Sequence, residues 1–207
     1  MKSADRMAQH LIQRGVTGIA AALALTATLI QGRVVLQGNL WHLGTFLFYA
    51  MLFLLFIIRR PSVYSSRSIG HWVFALSGVF LSFFLILAPT PDPILFWSSL
   101  PLQVCGMVIS FVALSTLGRS FGVIAAHREI KCRGPYRLVR HPLYLGEALW
   151  FLSLVIQNLS WFNVALFCAQ ILCQVQRIRE EESILSRDPV YLAYRDAVPY
   201  RLLPSVF

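Results

Sequence analysis

Side chains able to do chemistry concentrate in Arg128–Tyr144, REIKCRGPYRLVRHPLY, where a polar loop containing Gly134-Pro135 runs directly into an apolar segment. Pro142 sets the boundary: proline suits the first position of a helix, where its missing N–H costs nothing, and it biases His141 toward extended backbone. The free N–H groups at the start of that helix, together with its dipole, favour an anion such as a carboxylate or phosphate. Arg137 and Arg140 strengthen the same preference. On the helix itself Tyr144 and Glu147 stand three apart and share a face, with Gly146 leaving room beside them.

Far along the chain Arg177 and Glu181 stand four apart, also on one helix face. Alone they read as an interfacial ion pair worth a few tenths of a kcal/mol, and His141 alone reads as a helix-capping histidine. If the intervening chain is a helical hairpin, however, Tyr136, His141, Tyr144, Glu147, Arg177 and Glu181 assemble into one ring. Such a ring suits a ligand with a carboxylate, an ammonium, ribose hydroxyls and a sulfonium, although spacing does not name it.

The elements that must position this ring are apolar. With 57% hydrophobic and 13% charged residues, the chain has too little polar surface to clothe a soluble globule. Four stretches, Val16–Ile30, Leu40–Ile58, His71–Ala88 and Ile94–Leu117, are close to the ~17–25 residues that cross a bilayer as a helix. Leu143–Val175 is about twice one span and is interrupted at Gln157-Asn158-Leu159-Ser160, hence a hairpin. Arg33 and a second span soon after the first argue against a cleaved signal peptide. The expected fold is an all-α, polytopic transmembrane bundle of about four spans plus the hairpin. It forms one domain over residues 1–207, with anchoring helices in 1–115 and a chemical core in 116–207.

The net charge of +9 does not imply nucleic acid, because the bases lie beside spans and the aromatics inside them. Lys2, Arg6 and Arg14, then Arg59, Arg60 and Arg67, then Arg119 to Arg140 occupy alternate loops. The positive-inside rule places these loops, both termini and the ring in the cytoplasm. Cys105, Cys168 and Cys173 fall in spans, where packing as small hydrophobes is expected; Cys132 is a loop thiol. His10, His42, His71 and His127 show no metal-ligand spacing, so no metal is expected. Trp41, Trp97 and Trp161 fall near span ends, as interfacial anchors do. Past Asp188-Pro189, the residues Tyr191, Tyr194, Val198, Leu202 and Leu203 have the pattern of an amphipathic piece lying on the membrane surface.

GPYRLVRHPLYLG (Gly134–Gly146), RIREEESIL from Arg177 and the later Tyr191, Tyr194 and Val198-Pro199 resemble the isoprenylcysteine carboxyl methyltransferase family and related phospholipid methyltransferases, over about Leu117–Pro204. The resemblance implies that S-adenosylmethionine is held by Arg128, Glu129, Ile130 and Lys131, by position, and by Tyr136, His141, Pro142, Leu143, Tyr144 and Glu181. It implies that Arg177 holds the polar end of a lipidic or prenyl-like acceptor entering from the membrane lipids. Two departures stand out: a tail shorter by about two residues before Tyr191, and Glu147 where prenylcysteine enzymes carry an aromatic.

The expected reaction is in-line methyl transfer, with the protein supplying mainly alignment. Carboxyl or other O-methylation is the leading reading, Arg177, Glu147 and His141 being its catalytic candidates. A carboxylate acceptor requires no base; a phenol or an ammonium does, and Glu147 or His141 is then the candidate. The alternatives are phospholipid N-methylation and a non-catalytic transport or assembly protein.

Overall fold

The computed structural model describes residues 2–58, 64–65, 81–88, 92–118, 126–127 and 132–204. Its regular elements are helices, apart from a short antiparallel ladder in which β1 (Tyr64–Ser65) pairs with β2 (Ala126–His127). Helix α1 (Lys2–Leu36) runs beyond the apolar stretch at both ends. A turn at Gly38, whose φ of 91° suits a residue without a Cβ, and a 3₁₀ turn at Leu40–His42 lead into α2 (Leu43–Ile58). Ala20, Ala24 and Ala27 form a buried stripe on α1, in one apolar cluster with Phe48, Leu52, Leu55 and Phe56 of α2. Small side chains at that spacing let two helices approach closely.

Helix α3 (Pro93–Leu117) begins at Asp92, whose Oδ1 accepts the backbone N–H groups of Ile94 and Leu95 at 2.8 and 3.2 Å. It packs against α4 (Pro142–Gln157) at a glycine crossing. A Cβ on Gly106 would stand 2.6 Å from the Trp150 nitrogen and 2.7 Å from the Gly146 oxygen, and one on Gly146 would stand 2.7 Å from the Ser110 nitrogen. The space beside Gly146 is therefore filled by α3, not left for a ligand as its position beside Tyr144 and Glu147 had implied.

Helix α5 (Trp161–Leu185) returns antiparallel to α4, with Phe151 and Phe167 edge to face at 5.8 Å between centroids. The expected hairpin forms. Its turn is held by asparagines: Asn163 accepts from the Ile86 N–H at 3.1 Å and donates to the Ile86 and Asn158 carbonyls, while Asn158 accepts from the Ala88 N–H at 2.7 Å. These amides satisfy backbone groups that helical structure would otherwise have satisfied. The stretch 81–88 is a 3₁₀ turn, Leu81–Phe84, followed by irregular chain. The end of the third expected span is accordingly not α-helical, and residues 71–80 lie outside the described residues.

Two helices, Thr17–Leu36 and Pro93–Leu117, are long and apolar enough to cross a membrane; Leu43–Ile58 and Pro142–Gln157 are shorter apolar helices. Most of the Pro93–Leu117 window is uncovered by protein, with Ile94, Trp97, Val108 and Phe111 each more than half exposed. An apolar helix with so much uncovered apolar surface matches lipid rather than water. Cys105 and Cys168 are exposed on such surfaces and Cys173 is half-buried, contrary to the expected internal packing. Composition tells that a residue is in a span but not whether it faces protein or lipid.

Helix α6 (Pro189–Ala197), capped by Asp188, also departs from expectation. Tyr191, Tyr194 and Val198 are buried against Leu185, and the Tyr194 hydroxyl donates to the Tyr136 carbonyl at 2.7 Å. The tail thus folds back onto the 134–141 loop, because its apolar face finds protein there.

Candidate functional site

The 3₁₀ turn Gly134–Arg137 starts with a φ of 58° at Gly134, where a Cβ would also crowd Thr116 Oγ1 at 3.0 Å. It delivers Tyr136 into the core and leads to the start of α4. His141 precedes Pro142 with φ −127° and ψ 57°, short of the fully extended ψ, and its side chain makes no capping bond. Its backbone N–H instead donates to the Arg201 carbonyl at 2.9 Å. The imidazole is thereby left to the site.

The hairpin brings the ring residues together. The Tyr144 hydroxyl donates to Glu181 Oε1 at 2.5 Å. His141 Nδ1 lies 3.8 Å from Glu181 Oε2, and the His141 and Tyr144 rings stack at 5.7 Å. The Arg177 guanidinium carbon sits 4.8 Å from the Tyr144 ring centroid, within the range of a cation–π contact. Deeper in the hairpin, Gln174 Nε2 donates to Glu147 Oε2 at 3.2 Å. Tyr136 is buried; burial first, then the negative charges of Glu181 and Glu147 and its neighbour Tyr194, hold its phenol well above the usual tyrosine range, hence neutral. Leu143 is part of the main apolar core and Pro142 is fully enclosed, so both act as walls. Arg128, Glu129, Ile130 and Lys131 lie outside the described residues.

Two features escaped the sequence. Glu182, beside Glu181, is a hub: Oε1 accepts from Arg140 Nε at 2.8 Å and lies 3.3 Å from His141 Nε2, and Oε2 accepts from Arg201 Nε at 2.9 Å. Burial pushes this carboxyl up, but the hydrogen bonds from His141, Arg140 and Arg201 outweigh it and bring it down to about 2. Arg140 also donates Nη1 to the Val198 and Pro199 carbonyls at 2.8 and 2.7 Å. Its charge is consumed inside the protein, contrary to the expectation that it would draw an anion to the α4 start. The signal in the sequence was the run of three glutamates, Glu180 to Glu182, which spacing from Arg177 resolved to Glu181 only.

The second feature is a small, open-sided recess of about 20 Å³ reaching from Glu147 toward α2. Phe48, Leu52, Trp150 and Phe151 form its apolar wall, and Ser82, Glu147 and Gln170 its polar parts. Phe48 stacks on Trp150 at 4.2 Å. Its lining comes from α2, the 81–84 turn, α4 and α5, elements too far apart in the chain for spacing to align.

Helices with this much uncovered apolar surface fit insertion into a membrane, and the polar ring sits at one end of the hairpin. Residues 99–187 match the isoprenylcysteine carboxyl methyltransferase (ICMT) family, bearing out the resemblance read from the motifs and supporting a membrane methyltransferase. The match begins within α3, earlier than the motifs reach, and stops before α6. No curated protein matches the chain.

Proposed function

We propose that this chain is an S-adenosylmethionine-dependent methyltransferase that works at the cytoplasmic membrane face on a lipidic acceptor, by carboxyl or other O-methylation. The observation that carries the reading is the closure of Tyr144, Glu181, His141 and Arg177 into one cluster within the segment that matches the family. The donor set fits the cofactor: Glu181 supplies a carboxylate for an ammonium or ribose hydroxyls, Tyr144 and Tyr136 supply aromatic surface, and the α4 start supplies backbone N–H groups. By resemblance, residues 128–131 complete that site. When bound, the cofactor supplies an electrophilic methyl group on a sulfonium.

The chain's own work is then positioning. Arg177, whose planar fork can orient an oxyanion, holds the acceptor's polar end. His141, fixed by Glu182, lines the cofactor side, and Glu147 stands where a proton leaving the acceptor would go. A bundle of about four spans plus the hairpin, with cytoplasmic termini and residues 1–115 as anchor, would set the ring at the interface; charge alternation supports that orientation. The test is incubation of the purified protein with methyl-labelled cofactor and total membrane lipid. A labelled ester or ether is expected; a labelled amine would favour phospholipid N-methylation, and failure to retain the cofactor or its demethylated product would favour a transport or assembly role.

A further inference from the structure

The recess beside the ring carries polar atoms that the reading above does not use. Trp150 is 2% exposed and lines the recess, and among the described residues its indole N–H has no hydrogen-bond partner. Gln174 is 1% exposed; its Nε2 is committed to Glu147 Oε2, while its Oε1 has no partner among the described residues. No hydrogen bond from a described residue occupies the other oxygen of Glu147. Around the recess there is therefore one buried donor without a partner among the described residues and, three positions before it on α4, a carboxyl held in place by an amide with an unused acceptor. Buried polar atoms left this way are rare in folded proteins and point to a group that completes them.

Resting on the methyltransferase reading, but with a neutral acceptor oxygen in place of an oxyanion held by Arg177, we propose that the acceptor is a hydroxyl, a phenol or alcohol on an apolar body, whose oxygen enters this recess between Trp150 and Glu147. A hydroxyl offers one donor and two lone pairs, so it can accept from the Trp150 N–H and donate to Glu147 at once. A carboxylate offers lone pairs only, so it can accept from the indole N–H but has no proton to donate to Glu147. An ammonium offers donors only and would leave the indole N–H orphaned. The rings of Phe48 and Phe151 complete the selection by favouring an apolar or aromatic body around the hydroxyl.

The chemistry balances. The hydroxyl proton passes to the Glu147 carboxylate as the oxygen forms its bond to the methyl carbon. The carbon–sulfur bond of the sulfonium methyl donor breaks with its electron pair staying on sulfur, giving a neutral thioether and a methyl ether. Glu147 then releases the proton to water. Gln174 keeps the carboxyl turned toward the acceptor through its 3.2 Å bond.

The test uses the full chain in nanodiscs, saturated with S-adenosylhomocysteine, with ¹⁵N-labelled tryptophan and the Trp150 indole signal assigned through Trp150→Phe. Three probes share one tail: 4-dodecylphenol, dodecanoate and dodecylamine. The phenol should shift the Trp150 N–H signal saturably and the other two should leave it in place. In Glu147→Gln the shift should persist, because the amide still accepts a hydrogen bond, while methyl transfer to the phenol falls roughly a hundredfold or more, as loss of a general base does. A shift with dodecanoate or dodecylamine equal to that with the phenol overturns the proposal, as does unchanged transfer in Glu147→Gln. Calorimetry with S-adenosylhomocysteine separates the two levels: no binding sinks the methyltransferase reading itself, whereas binding with an unmoved Trp150 signal sinks only the hydroxyl acceptor.

Discussion

Tyr144 and Glu181, on the first turn of α4 and in the last third of α5, are joined by a 2.5 Å hydrogen bond from the phenol to the carboxylate. That bond closes the hairpin at its polar end, as the asparagines close it at the other. It also fixes one Glu181 oxygen and turns the other toward His141. Glu181→Ala or His141→Ala should therefore weaken cofactor binding by about 1–3 kcal/mol, the usual loss for a polar contact at a buried site. Calorimetry on both variants checks this; unchanged affinity in both would remove these residues from the cofactor site.

Arg177 is buried and lies over the Tyr144 ring. Arg177→Lys keeps the charge and loses the fork. Cofactor affinity should stay near normal while turnover drops on the order of a hundredfold, because a misplaced nucleophile is costly. Affinity and rate falling together in calorimetry and single-turnover kinetics would instead make Arg177 a wall of the cofactor pocket.

Glu182 makes the site's stability depend on pH. Its carboxyl is held at about 2 against an ordinary 4.5, so the folded state binds this proton less readily than the unfolded state. The stabilisation is fully present above about pH 4.5 and is lost as pH falls toward 2, amounting to at most on the order of 3 kcal/mol. Thermal unfolding followed from about pH 6 down to pH 3 should decline in the wild type. In Glu182→Gln it should start lower and decline less steeply. Parallel curves would show that Glu182 does not carry the linkage.

The glycine crossing between α3 and α4 gives a packing test. Gly106→Val places atoms against the Trp150 and Gly146 backbone, where neither side can yield, and should destabilise by about 1–3 kcal/mol or more. Gly18→Ala, with nothing within 4 Å of its Cβ, should be neutral or gain up to about 1 kcal/mol from helix propensity. Comparing melting temperatures of the two variants in one detergent decides whether the crossing is as tight as drawn.

The hairpin and the ring were legible because their signals are local. Pro142 starts a helix, Asn158 to Ser160 break it, and pairs three and four apart share a face. The end of the third expected span was misread because 81–88 is apolar apart from Ser82, yet the Ile86 and Ala88 backbone groups are satisfied by Asn163 and Asn158, residues some seventy positions away. The tail was misread for a related reason: an amphipathic pattern says that Tyr191, Tyr194 and Val198 need an apolar partner, and the 134–141 loop with Leu185 competes with lipid for that place. Glu182 was missed because its partners, the adjacent Arg140 and His141 and the distant Arg201, come from two separate stretches of chain.

The strap formed by residues 198–201 bears on how this protein is made. The Arg140 side chain and the Arg140 and His141 backbone N–H groups all bond to carbonyls between Val198 and Arg201. During synthesis α1 to α5 are made before that stretch is. The 134–141 loop must therefore wait, with Arg140 unclasped and His141 unfixed, until translation has passed Arg201. A chain ending after α5 would keep the Tyr144–Glu181 pair and lack every carbonyl that holds Arg140 and His141 in place.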